Sequence, residues 1–153
     1  MTGEGVQVSP ADYNELVNRT RLETIFATEL HARRLSPALP ARVSVNSEIG
    51  LAVGENLVDY QLQIQCHFVD DKDEPVAEAS TVVAARYLVA EGTELPEAVF
   101  HLFGERAAAF MIYPYARQHL TDLTTRLGLP GFYLDVMVRD AIPEVDTAAV
   151  APQ

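Results

Sequence analysis

The stretch IYPYARQHLTDLTTRLGLPGFYL, residues Ile112 to Leu134, decides the fold. It contains a proline inside a helical pattern, with a tyrosine on each side. Near its end, a Pro-Gly pair terminates the helical pattern. An interior proline removes a backbone donor and clashes with the preceding turn, at a cost of roughly 3 kcal/mol, so Pro114 must start, bend or break a helix. The apolar residues that follow recur at steps of four, three and four, which predicts one buried helix face ending at Gly128: Ala116, Leu120, Leu123 and Leu127.

The segments before this helix favour β structure. A short helix from Pro10 to about Asn18, capped by Ser9, precedes a first strand predicted between Arg19 and Leu35. A second strand is predicted between Ala41 and Leu57, bulged or interrupted at its two glycines, Gly50 and Gly54.

The third and fourth strands have the clearest patterns. Apolar side chains alternate with polar ones along the third strand, which predicts one buried face and one solvent-exposed face. The residues of the predicted buried face are Tyr60, Leu62, Ile64, Cys66 and Phe68. The segment Val76 to Val89 is apolar on both sides. The helical region that begins near Thr93 is also apolar around more than half its circumference. Elements that need cover on two sides predict an α+β protein that self-associates.

Composition restricts the function. The chain has 153 residues, which predicts a single domain over residues 1–153, with flexible ends at 1–8 and 141–153. A net charge of -11 argues against nucleic acid as a partner. We expect a soluble, cytoplasmic protein without membrane insertion, because the N-terminus lacks a basic start and no apolar run approaches the about 18 residues that span a bilayer.

Candidate catalytic and metal-binding residues are few. Cys66 and His67 are neighbours on a strand and therefore point to opposite faces, which rules out a thiol-imidazole pair between them. No metal motif is found among the histidines, the acids at 70–74 lack the pattern of a calcium loop, and no phosphate loop is present. We predict no catalytic residue, no metal and no cofactor, and hence no enzyme.

Apolar surface is the remaining functional signal. Five residues crowd the stretch after the helix and are candidates for a groove that binds extended polypeptide: Phe132, Tyr133, Leu134, Val136 and Met137. The alternative is that these side chains only close the core.

The central motif resembles the SecB family of export chaperones. The resemblance rests on Tyr-Pro-Tyr-Ala-Arg, a basic residue near the helix end, and a proline followed by leucine four positions later: Tyr113, Pro114, Tyr115, Ala116, Arg117, Arg126, Pro130 and Leu134. The order of four strands before one long helix is similar as well. The resemblance implies a four-stranded antiparallel sheet with a long, Pro-interrupted C-terminal helix, assembled as a homotetramer, a dimer of dimers.

The resemblance also implies a function. A SecB-like protein is an ATP-independent holdase that binds unfolded polypeptides, either export precursors or, in some members, an antitoxin. In the family an acidic pair on the first strand engages the motor SecA, and this chain has Glu29 with Arg33 in place of the second acid. A second helix normally follows the proline, where this chain reads DVMVRD over residues 135–140.

Two other functions are open from the residues alone. One is a small-ligand-binding or enzymatic α+β domain whose curved sheet surrounds a helix, which would require a closed pocket with convergent polar groups in one subunit. The other is a purely structural oligomer. An assay of whether the protein suppresses the aggregation of an unfolded client distinguishes a chaperone from these two alternatives.

Overall fold

The structure, a computed structural model, describes residues 7–132 and 134. A short helix and four strands come first, followed by one long helical region with a π-helical turn inside it. The elements are α1 (Pro10–Arg19), β1 (Thr20–Arg34), β2 (Arg42–Gly54), β3 (Leu57–Val69), β4 (Pro75–Val89), α2 (Glu97–Phe103), the π-helical turn (Gly104–Ala108) and α3 (Ala109–Arg126). No helix in residues 7–132 is both long and apolar enough to cross a membrane.

The four strands form one antiparallel sheet in the order β1-β4-β3-β2. The predicted α+β class and antiparallel sheet are therefore confirmed. Helix α3 lies over β4, β3 and β1, whereas β2 is reached by the π-helical turn. We call the side of the sheet that carries the helices the helix side and the opposite side the open side. Because α3 is displaced toward β1, the helix side of β2 receives less cover than that of the central strands.

The core lies between the sheet and the helices. The alternation predicted for β3 is confirmed, because all five apolar side chains from Tyr60 to Phe68 are buried on the helix side. Their neighbours on β4 are buried too, and on the open side of β4 Ala84 is buried as well. Strand β4 is thus mainly apolar and buried on its helix side, whereas its open side combines the apolar Val82, Ala84 and Leu88 with the partly buried polar residues Glu78, Ser80 and Arg86. Cys66 is a core residue.

The irregular strand is β1, not β2. Gly50 and Gly54 pair regularly with Gln61 and Leu57, and the register of β2 with β3 has no shift over its whole length. The prediction of a bulge in β2 is therefore wrong, because a glycine can occupy an ordinary strand position. Strand β1 instead has register shifts near Glu23 and Thr28. Bulges of this kind bend a long edge strand and increase its local twist.

The helix ends predicted at Ser9 and Gly128 are confirmed, whereas the long helical region begins at Glu97, four residues after the predicted start near Thr93. The Ser9 side chain accepts a hydrogen bond from the backbone N–H of Asp12 at 3.0 Å, and so caps α1. At the other end, Gly128 has a φ of +72°, its N–H donates to the Thr125 carbonyl, and the Leu129 N–H donates to the Thr124 carbonyl. These two bonds form a Schellman motif, which requires a left-handed residue that glycine supplies at little cost.

The long helical region departs from α geometry before Pro114 rather than at it. Helix α3 continues through Pro114, and the π-helical turn lies about two to three turns earlier. In α2, directly before that turn, the Phe100 carbonyl accepts a hydrogen bond of 2.7 Å from the Tyr60 hydroxyl. A Cβ on Gly104 would lie only 2.8 Å from the Tyr60 ring. The Phe100 carbonyl also accepts the backbone N–H of Gly104, so this one oxygen is shared by the tyrosine hydroxyl and the helix. The buried Tyr60 ring leaves no room for a side chain at position 104, which glycine satisfies.

Candidate functional site

The predicted groove residues begin at the end of the long helix. The ring of Phe132 is half-buried and packs edge-on against Phe68, with ring centroids 5.1 Å apart. Leu134 lies in the core and is 6% exposed. Tyr133, Val136 and Met137 lie outside the described residues. Of the predicted set, Phe132 therefore reaches the surface, while Leu134 attaches the chain to the core.

Exposed apolar side chains on β2 lie beside Phe132. Val43 and Val45 are 39% and 45% exposed on the helix side, where they pair with Phe68 and Cys66. Leu39, in the loop that leads into β2, is 73% exposed. We call Leu39, Val43, Val45 and Phe132 the apolar ledge. These four side chains leave an apolar surface at one end of the sheet that this protomer does not cover.

The free edge of β2 adds backbone groups to the ledge. Strand β2 is the last strand of the sheet and pairs only with β3 within the described residues, so its other edge presents unpaired N–H and C=O groups. Edge strands are usually protected by bulges, prolines or lysines, and β2 has none of these over its 13 residues. A regular, unprotected edge with alternating apolar side chains is suited to pairing with an extended chain.

The sequence analysis missed Leu39, Val43 and Val45 as surface residues. Alternating valines in a strand normally indicate a buried face, and no local signal distinguishes a covered face from an uncovered one. The position of α3 over the other three strands decides the exposure.

A second exposed apolar surface lies on β1 and α3. Leu30 on the helix side of β1 is exposed, as are Met111 and Tyr115, one turn apart on α3. Phe26, which pairs with Ala84 on the open side of the sheet, is exposed too. Because β1 is the other edge of the sheet, these residues adjoin a second row of unpaired backbone groups.

Glu29 lies on the open side of the sheet, away from the apolar ledge. It pairs with Val82 and, with Glu48, Gln61 and Gln63 among its neighbours, lines an open pocket of about 400 Å³. Arg33 is exposed on the same side, where it pairs with Glu78. The two carboxylates of this pocket, Glu29 and Glu48, are suited to a positively charged partner. Position 33, where the resemblance implies a second acid on the same strand, holds Arg33 instead.

The pKa values of Cys66 and Asp59, both on β3, are shifted by burial and by an ion pair. Burial raises the pKa of the Cys66 thiol to about 11, so the thiol is protonated at neutral pH and is a poor nucleophile. The Arg86 guanidinium donates two hydrogen bonds of 2.8 Å to the carboxylate of Asp59 and lowers the pKa of that carboxyl below its ordinary value. In the described ranges, no three His, Cys, Asp or Glu side chains come together as a metal site.

Comparisons with known proteins address the fold. No protein-family model and no curated protein matches the chain. Among solved structures, the chain is similar to the Mycobacterium tuberculosis Rv1957 SecB-like chaperone in complex with a ChAD peptide from the Rv1956 HigA1 antitoxin. The TM-score is 0.75 and the identity 19%, over 84% of this chain and 97% of that one. A protein of unknown function from Streptococcus agalactiae is more distant, with a TM-score of 0.43 and 12% identity over 76% and 97% of the two chains.

The first of these similarities confirms the fold that the residues around Pro114 predicted. The chain has the SecB-like fold, with four antiparallel strands followed by a long helix.

Proposed function

From the SecB-like fold and the apolar ledge, we propose that this protein is a cytoplasmic holdase chaperone that binds unfolded polypeptides without ATP. The observation that carries the proposal is the exposure of Val43 and Val45 on the helix side of a free sheet edge, beside the half-buried ring of Phe132. Apolar side chains and free backbone groups in one place suit an extended chain that has lost its own structure.

Binding follows from the geometry of the edge. An unfolded segment that lies along β2 forms backbone hydrogen bonds that do not depend on its sequence. Every second side chain of the segment then points to the helix side, where Val43 and Val45 make apolar contacts. Folded proteins are excluded, because they expose neither long apolar segments nor unpaired backbone groups. We propose that the predicted residues Tyr133, Val136 and Met137 extend the groove beyond Phe132, whereas the buried Leu134 holds this segment to the core.

A second exposed apolar surface supports a proposal of self-association. Leu30, Met111 and Tyr115 expose apolar surface next to the free edge of β1. We propose that this surface joins two protomers and that two such dimers form a homotetramer. Weak contacts at several ledges on one assembly raise the effective concentration of each free ledge, so that modest affinities combine into stable binding of a long client.

The proposed clients are export precursors or an antitoxin. The M. tuberculosis protein of similar fold was solved with an antitoxin peptide, which favours the antitoxin class. Delivery to SecA has weaker support, because Arg33 stands where the resemblance requires a second acid beside Glu29. We propose Glu29, together with Glu48 in the same pocket, as a contact for a positively charged partner segment.

Suppression of aggregation tests this function. A chemically unfolded client is diluted into buffer without nucleotide, with and without the purified protein, and light scattering is followed. We expect scattering to fall at equimolar tetramer. Val45→Asp should abolish the effect, whereas Ser44→Asp should retain it, because Ser44 lies on the open side of the same strand and controls for the added charge. No suppression by the wild-type protein would refute the proposal.

A further inference from the structure

The loop between β1 and β2, residues 35–41, forms one boundary of the apolar ledge and has few backbone attachments. Its first two N–H groups donate to the Val76 carbonyl, and Ala41 at its other end donates to the Val69 carbonyl. Between these ends, the Ala38 N–H is bonded only within the loop, to the Ser36 side chain. Leu39 points largely into solvent and so does not anchor the loop.

One side chain connects the middle of this loop to the end of the long helix. Arg34 donates from Nε to the Ser36 carbonyl at 2.6 Å and from Nη2 to the Ala38 carbonyl at 2.8 Å. Its third donor, Nη1, reaches the Leu127 carbonyl at 2.9 Å. A single guanidinium therefore bonds two carbonyls of the loop and one at the C-terminal end of α3.

The chemistry of the three acceptors suits arginine. The last carbonyls of a helix lack intrahelical partners and carry partial negative charge, which a cation stabilises. The guanidinium has five N–H donors in a rigid planar fork, so it can bond three acceptors that diverge around one plane. A lysine ammonium at the same position would not reach all three with good geometry, since its donors radiate from one atom.

We propose that Arg34 is a positioning residue of the client site: it sets the separation between the loop that carries Leu39 and the helix end from which the chain continues to Phe132. The inference rests on the proposed function, because the ledge matters only if a client binds there. Leu39 and Phe132 lie on the two segments that the Arg34 side chain joins. Loss of the guanidinium should release the loop from the helix end while the strands and the core stay in place.

A tryptophan reporter tests this role directly. The chain has no tryptophan, so Leu39→Trp introduces a single fluorescent reporter at an exposed loop position. In this background we compare Arg34→Gln and Arg34→Lys with Arg33→Gln. Arg33 is the matched control, because it is the neighbouring arginine and lies on the open side of the strand. Fluorescence anisotropy without client, circular dichroism and client affinity are measured for each protein.

We expect Arg34→Gln to lower the anisotropy of the reporter and to weaken client binding roughly tenfold, the equivalent of one lost charge-assisted hydrogen bond. Arg34→Lys should give an intermediate result, and Arg33→Gln should match the parent. If Arg34→Gln does not fold, Arg34→Lys carries the test. Unchanged anisotropy, or lower anisotropy with unchanged client affinity, would overturn the positioning role. A wild-type protein that binds no client would refute the proposed function instead, and the anisotropy would still report on the loop.

Discussion

The ring of Phe132 packs edge-on against the ring of Phe68, with centroids 5.1 Å apart and ring planes at 83°. This contact ties the segment after the long helix to the end of β3, directly beside Val43, which pairs with Phe68. The apolar ledge is therefore built on a side chain of the core. Its shape depends on the fold of the protomer and on one aromatic contact at its boundary.

Removal of the Phe132 ring should weaken client binding and also lower the stability of the folded protein. Aromatic pairs contribute about 1 kcal/mol beyond the area that they bury, so Phe132→Ala should lower the free energy of unfolding by that order. Client affinity should fall roughly fivefold or more, since a loss of that size at the site corresponds to such a factor. Titration of a labelled unfolded client and urea denaturation measure the two effects.

Phe26→Ala is the control for this change. Phe26 is 49% exposed, more than Phe132, but it lies on the open side of β1. Client affinity should stay at the wild-type value in this variant. Equal losses in both variants would indicate that exposed rings bind clients without regard to position.

Thr81→Val should stabilise the protein. Thr81 is fully buried in the middle of β4, and its hydroxyl has no hydrogen-bond partner within the described chain. A buried polar group without a partner costs about 1–3 kcal/mol, and valine has nearly the same shape without the hydroxyl. The midpoint of urea unfolding should rise. Thr124→Val should lower it, because the equally buried Thr124 hydroxyl donates to the Leu120 carbonyl at 2.8 Å.

Gly104→Ala should destabilise the protein by roughly 1–3 kcal/mol, the usual cost of overpacking a core. The added Cβ would lie 2.8 Å from the Tyr60 ring, which is fully buried and bonded to the Phe100 carbonyl. Gly50→Ala is the comparison, because nothing lies within 4 Å of its Cβ position. Thermal unfolding should show a lower midpoint for the first variant and no loss for the second. If Gly104→Ala left the midpoint of thermal unfolding unchanged, the π-helical turn would be able to shift and accommodate the added Cβ without a loss of stability.

The ion pair between Asp59 and Arg86 predicts a pH-dependent contribution to stability. Hydrogen bonding to Arg86 lowers the pKa of Asp59 in the folded protein below its ordinary value of 3.8. A lowered pKa means that the contribution is complete above the unfolded-state pKa and is lost as the pH falls through the folded-state pKa. Asp59→Asn should therefore be less stable than wild type at pH 7, and the difference should shrink below about pH 4. Urea unfolding across this range measures it, and a constant difference would contradict the assignment.

Local patterns predicted most of the fold. The alternation in β3 fixes which of its faces is buried, and the residues around Ser9 and Gly128 specify helix ends through contacts within a few positions. These features depend on near neighbours, so one sequence suffices to identify them. The bulges of β1 could not be predicted, because they arise from the path of a long edge strand across the sheet rather than from its residue types.

The candidate site was predicted only in part. Phe132 stood out because aromatic residues crowd the chain after the helix, but Val43 and Val45 have the pattern of core valines. Their exposure depends on α3 lying over the other strands, which is a tertiary property. The role of Arg34 could not be predicted from the sequence. Its acceptors are backbone carbonyls, which every residue has, and the one at Leu127 is distant in sequence.

Hydrogen exchange of the β2 backbone, measured amide by amide with and without an unfolded client, tests the central claim most directly. We predict that the client slows exchange at the β2 amides that point away from β3, including those around Val43 and Val45, while the amides at the free edge of β1 are unchanged. Protection confined to the open side of the sheet or to β1, with β2 unaffected, would contradict client binding at the apolar ledge.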